Sequence, residues 1–163
     1  MAEYIKVNPM YQDRIEEVFQ TNINPEIVLE FEIHENDFVN SGKGSAELKV
    51  TIKRLGVDPA IMRKVAVAAY EAEINITAHS RGGVMTSNIF PDYVHIVFQD
   101  RGPGIEDLSK AMTPGFSTAT DLVREMGFGA GLGLPNIERN SDIMKLDSAK
   151  NESTKLDVII FFH

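Results

Sequence analysis

Glu71, Asn75 and His79 stand four residues apart, so on a helix they stack on one face. A carboxylate one turn from a carboxamide can hold a hard cation through oxygen and still present a base. The same spacing also fits a solvated helix face with an i, i+4 hydrogen bond. Further on, Asp100-Arg101-Gly102-Pro103-Gly104-Ile105 sets a carboxylate just ahead of two glycines. The glycines leave a flat floor for an aromatic ring, and the carboxylate can accept a hydrogen bond from an exocyclic amine such as that of adenine. A tight turn held by an aspartate side chain is the plainer alternative. The third stretch is Gly127-Phe128-Gly129-Ala130-Gly131-Leu132-Gly133-Leu134, followed at once by Pro135. Alternating glycines strip side chains from one face of a loop, and Pro135 suits the first turn of a helix. A bare loop feeding a helix N-terminus offers backbone N–H groups and a positive dipole end, which can hold a phosphate chain. Glycine-rich loops also serve as hinges or turns. Ser117, Thr118, Thr120 and Arg124 lie between the second and third stretches, and such groups can meet phosphate oxygens when a segment closes. Thr154 enters the last strand, where it either hydrogen-bonds beside Asp100 or simply favours a strand.

The elements that must position these residues follow from local pattern. Tyr11 to Phe19 reads as a short helix with Ile15, Val18 and Phe19 on one side. Ile27 to His34 alternates as a half-buried strand, with Leu29, Phe31 and Ile33 facing one way. After a turn at Asn40 to Ser45, Leu48, Ile52 and Leu55 mark a helix that Gly56 closes. Asp58 as N-cap and Pro59 at the first helical position open a longer helix, to about His79. Val84 to Phe90 and Tyr93 to Gln99 read as two strands, the second delivering Asp100 at its end. Asp107 to Met112 suits a short helix. Thr113 to Phe128 is long for a connection, as lids and binding loops are. A helix from Leu134 to about Asn140 and strands at Ile143 to Leu146 and Leu156 to Phe162 complete the pattern.

Composition narrows the function classes. The chain has 163 residues, enough for one domain with a core, and a net charge of −8. That balance disfavours nucleic acid or an anionic membrane as the main partner. With no cysteine, thiol catalysis, disulfides and thiolate metal sites are excluded. His34, His95 and His163 are scattered and suggest no zinc site. Gly42-Lys43-Gly44-Ser45 lacks the spacing of a phosphate-binding P-loop. No secretory leader and no membrane-length apolar run is seen, so the expectation is a cytoplasmic protein.

In order, Glu71-x-x-x-Asn75, Asp100-x-Gly102-x-Gly104 and Gly129-x-Gly131-x-Gly133-Leu134 resemble the N, G1 and G2 boxes of the Bergerat-fold (GHKL) ATPases. That superfamily includes gyrase, the Hsp90 chaperones, sensor histidine kinases and MutL. The resemblance runs from about Ile27 to the C-terminus. It is strongest to the small stand-alone branch, the anti-sigma-factor serine kinases and related switch kinases, through Gly115-Phe116-Ser117-Thr118 and Gly131-Leu132-Gly133-Leu134-Pro135. One departure is Ser153-Thr154, which stands where the family's last box has Gly-Thr.

The resemblance implies an α+β fold: a two-layer α/β sandwich, its sheet mixed and mainly antiparallel, with helices on one face and a mobile ATP lid. Residues 27–163 would form the ATP-binding domain and residues 1–26 an N-terminal extension able to supply a homodimer contact. ATP and Mg²⁺ are the implied ligands. Glu71 would be the general base and Asn75 the Mg²⁺ ligand. Asp100 would bind the adenine amine with help from Thr154, and Gly102 and Gly104 would line the adenine pocket. Gly129, Gly131 and Gly133, with Leu132 and Leu134 between and after them, would wrap the phosphates. Ser117, Thr118 and Arg124 would act from the lid. His79 is expected to support the helix end, and Glu73, pointing off the Glu71 face, to be a surface charge. The implied function is an ATP-dependent protein serine/threonine kinase acting on a small antagonist protein in a bacterial partner switch, with a sigma factor as a further partner. A nucleotide-gated binding module and a detached histidine-kinase catalytic domain are the alternatives. A DNA-handling ATPase would need a transducer domain and a basic surface.

Overall fold

Asp58 accepts a hydrogen bond from the Ala60 N–H at 2.8 Å, and Pro59 follows it at the first helical position. These two residues start the longest described helix of the chain's computed structural model, which describes residues 2–20, 22–102, 112, 133–148 and 153–163. The strands are β1 (Ala2–Val7), β2 (Ile27–Ile33), β3 (Gly83–Ile89), β4 (Tyr93–Asp100), β5 (Ile143–Ser148) and β6 (Lys155–Phe161). Among the described residues the helices are α1 (Ile15–Val18), α2 (Lys43–Arg54), α3 (Pro59–His79) and α4 (Gly133–Asn140), with a 3-10 turn at Pro9–Arg14 before α1. The expected helix over Asp107 to Met112 and the lid over Thr113 to Phe128 fall outside the described residues, Met112 apart.

The strands form one six-stranded sheet in the order β1-β5-β6-β4-β3-β2. Every described pairing is antiparallel, where a mixed sheet was expected. Side chains alternate across a strand, and that splits the buried residues into two cores. On one face Val94, Ile96 and Phe98 of β4 meet Val158 and Ile160 of β6. Against them lie Leu48 and Ile52 of α2, Val65, Ala69 and Ala72 of α3, and Ile137 of α4. The small residues of α3 let it sit close to the sheet. Leu55, expected on the buried face of α2, is 49% exposed, because the helix ends at Arg54 and Gly56 turns the chain at φ +76°.

The opposite face is covered by the N-terminal segment, a departure from helices on one face only. Val18, with Tyr11, Ile15 and Phe19 beside it, packs on Tyr93, Ile143, Ile159 and Phe161. The single helix expected over Tyr11 to Phe19 is instead the 3-10 turn, kinked internally at Tyr11 (φ −115°, ψ 17°), and α1, which starts after Arg14 (φ −105°, ψ 0°). Beneath it the His95 Nε2 lies 2.7 Å from the buried Asp157 Oδ1, with the Phe19 ring edge-on to the imidazole. Sequence pattern also gave no sign of β1, which pairs with β5 from Ala2↔Ser148 to Val7↔Ile143. Lys6 Nζ reaches Glu138 Oε1 on α4 at 2.9 Å, and the Tyr4 hydroxyl donates to Glu138 Oε2. Burial and the Glu138 carboxylate together push the Tyr4 phenol up to about 12. The segment expected to be free for a dimer contact is thus tied to its own sheet and to α4.

Candidate functional site

Helix α3 carries Glu71 and Asn75 one turn apart, as their spacing requires, and both side chains are partly exposed. Helix α4 begins at Gly133 and crosses this face. A Cβ placed on Gly133 would lie 3.7 Å from Asn75 Oδ1 and 3.8 Å from Glu71 Oε2. The end of the glycine comb and the acid–amide pair therefore meet at one point, although 58 residues separate Asn75 from Gly133. Asn136, one turn into α4, directs its Nδ2 at Glu71 Oε1 from 3.5 Å. No role was read for Asn136 in the sequence. Its position three residues after Gly133 puts it on the same helix face, and that spacing was the available signal.

Asp100 is the last residue of β4. Its Oδ1 accepts from the Thr154 N–H at 2.7 Å and the Gly102 N–H at 2.9 Å. Burial pushes the Asp100 carboxyl above its ordinary value, while the N–H donors of Thr154 and Gly102 and the Ser80 hydroxyl oppose that shift. Gly102 is buried with φ +95°, a left-handed conformation that glycine adopts without a Cβ penalty. Its carbonyl accepts from Ser80 Oγ at 2.9 Å and from the Arg81 N–H at 3.0 Å, which locks the turn against the end of α3. Thr154 meets Asp100 through its backbone, and its hydroxyl pairs with Ser148 Oγ at 2.5 Å. Ser80 and Ser148 are further members of this corner that sequence reading passed over. Their serine type alone carries no positional signal.

Leu134 is buried in the core through its side chain, so only its backbone remains for a ligand. Gly104, Ser117, Thr118, Arg124, Gly129, Gly131 and Leu132 lie outside the described residues.

Glu73 overturns its expectation as a surface charge. Its side chain is fully buried. Glu73 Oε2 accepts from the Gly42 N–H at 2.8 Å and the Gly44 N–H at 3.2 Å; Oε1 accepts from the Ser45 N–H at 2.9 Å and Ser45 Oγ at 3.0 Å. The carboxylate caps the first turn of α2, where backbone N–H groups lack intrahelical partners and the dipole favours negative charge. The start of α2 is thus occupied by the chain's own carboxylate. This is also why α2 begins at Lys43, inside the stretch expected to be a turn.

The donor set at the α3–α4 crossing suits a hard cation bound chiefly through phosphate oxygens and water. It offers a carboxamide oxygen and a carboxylate, and among the described residues no group of three or more His, Asp or Glu side chains is placed to hold a metal. Among the described residues no helix is long and apolar enough to cross a membrane.

The chain is 31% identical over 111 residues to the serine/threonine-protein kinase RsbT of Bacillus subtilis, covering 66% of this chain and 77% of RsbT. It is 30% identical over 128 residues to the anti-sigma F factor of Clostridium acetobutylicum, covering 73% and 86% of the two chains. With the anti-sigma F factor of Clostridium perfringens it shares 27% identity over 125 residues, 72% and 86%. No protein-family model matches the chain.

Proposed function

Because the chain belongs to the Bergerat-fold ATPase and kinase superfamily, in its anti-sigma-factor and switch-kinase branch, we propose that it is an ATP-dependent protein serine/threonine kinase of a bacterial partner switch. Its substrate would be a small regulatory protein bearing a hydroxyl, and its setting the cytoplasm. The observation that carries this reading is the meeting of Gly133 with Asn75 and Glu71 at one point.

In this reading the acceptor hydroxyl gives its proton to the Glu71 carboxylate as its oxygen takes the γ-phosphoryl group. The bond to the leaving ADP oxygen breaks. Asn75 would present its amide oxygen to Mg²⁺, which when bound neutralises charge on the phosphate oxygens. Asp100 would accept from the adenine amine, with Gly102 keeping that corner free of side chains. Gly133 leaves room where phosphates must pass between α3 and α4. Phosphoryl transfer asks for such positioning more than for covalent chemistry.

A thermal melt tests the reading. Mg²⁺-ATP at about a hundred times its Kd stabilises by about 2.7 kcal/mol, a rise in Tm of about 5–10 °C for a domain of this size. A flat response to Mg²⁺-ATP would remove the nucleotide assignment, and a rise without any phosphate transfer would remove the kinase one.

Asp100 adds a pH dependence. The adenine amine needs the ionised carboxylate, so protonation competes with the ligand. ATP affinity is therefore expected to be full above the raised pKa and to weaken as pH falls through it, at less acid pH than an ordinary aspartate would give. Calorimetric titration from about pH 7 down to about pH 4 checks this. An affinity that holds until ordinary aspartates protonate would count against Asp100 as the adenine acceptor.

A further inference from the structure

Helices α2 and α3 enclose an open groove of about 650 Å³ that runs up to Glu71. Its floor is largely apolar, from Pro59, Met62, Ala66, Val67 and Tyr70 of α3 with Ala46 of α2. Tyr70 is 43% exposed there, and Lys49 and Arg63 line the groove from its two helices. The Glu73 carboxylate ties the start of α2 to α3, so the two walls are held at a fixed spacing. The groove is preformed, which spares a ligand the cost of ordering it.

The charge around it is opposite to that of the chain. Residues 43–71, which span the groove, carry six cations against Glu47, Asp58 and Glu71, a local excess of three in a chain whose total is −8. Lys49, Lys53, Arg54, Arg63 and Lys64 form no ion pair with any described residue. A largely apolar channel lined by two cations unpaired among the described residues, Lys49 and Arg63, with further cations on the same helices, favours an acidic, apolar-anchored ligand and steers its approach.

We propose that the α2–α3 groove docks the acceptor-bearing segment of the protein substrate: apolar side chains on Met62, Val67 and Tyr70, acidic ones on Lys49 and Arg63, and the hydroxyl delivered to Glu71. The proposal rests on the phosphoryl-transfer reading of Glu71. Arg63 precedes Glu71 by eight residues of helix, about 12 Å. An extended chain covers that distance in about four residues, so the acidic positions lie about four residues from the acceptor. The apolar floor, with Glu71 at its end, disfavours a continuous phosphate backbone as the occupant.

The test uses the 163-residue chain, labelled with nitrogen-15, and a synthetic serine peptide with leucine and phenylalanine anchors and aspartates about four residues from the serine. Amide shifts are expected along residues 46–49 and 62–71, with affinity that falls as salt rises. The double variant K49E/R63E is expected to bind the peptide about tenfold more weakly. The proposal is overturned if the peptide does not bind, if a lysine-for-aspartate peptide binds as well, if the shifts lie elsewhere, or if duplex DNA competes at equal affinity. A Mg²⁺-ATP melt on the same samples separates the two readings. Loss of the melt shift strikes the nucleotide assignment, whereas loss of peptide binding with the melt shift intact strikes the groove alone.

Discussion

Glu71→Gln is expected to lower phosphoryl transfer by on the order of 10²–10⁴-fold while Mg²⁺-ATP binds as it does to the native protein. The amide keeps the size of the side chain but takes no proton. Among the described residues Glu71 has little else to do: it is partly exposed, and its one side-chain hydrogen bond there is the long contact from Asn136 at 3.5 Å. The fold therefore survives the change. Release of ADP, followed with the native protein and the variant side by side, reads the chemistry, and the thermal shift reads binding. Unchanged turnover in the variant would sink the assignment of Glu71 as base. Loss of ATP binding along with turnover would make it a binding residue instead.

Glu73→Ala is expected to do the opposite, destabilising the fold by about 3–5 kcal/mol. Its carboxylate satisfies the N–H groups of Gly42, Gly44 and Ser45 inside the protein, and alanine leaves them without an acceptor. Ser45 Oγ is less affected, since it also donates to the Gly42 carbonyl at 3.0 Å. Glu73→Gln keeps one acceptor oxygen but turns donors toward donors, so a smaller loss is expected. Urea unfolding checks both variants: the midpoint drops while the slope stays the same. A midpoint for Glu73→Ala no lower than that of Glu71→Gln would refute the capping role. The two carboxylates sit two residues apart on one helix, and the proposed function divides chemistry from stability between them.

The described part of the candidate site was legible because its parts are locally encoded. The Asp58-Pro59 start sets where α3 begins, and the helical repeat then fixes Glu71 and Asn75 on one face. The alternation in Tyr93 to Gln99 placed Asp100 at a strand end, and the following glycine supplied the positive φ of the turn. These outcomes depend on neighbours within about four residues, and a sequence displays such neighbours directly.

What stayed hidden depends on partners far along the chain. The helical repeat places Glu73 off the Glu71 face, and nothing local says that this other face is covered by the start of α2, 28 to 31 residues earlier. No pattern near Tyr4 announces a strand, because β1 is stabilised by pairing with β5 and by Glu138, 134 residues away in sequence. The sequence by itself determined helices α2, α3 and α4, strands β2 to β6 and the chemical inventory, since backbone sterics and side-chain periodicity act over a turn or two. Only the tertiary structure decided which carboxylate is buried, that the N-terminal segment closes the sheet, and that Gly133 comes to Asn75 and Glu71, because burial and long-range pairing are settled by how distant surfaces fit together.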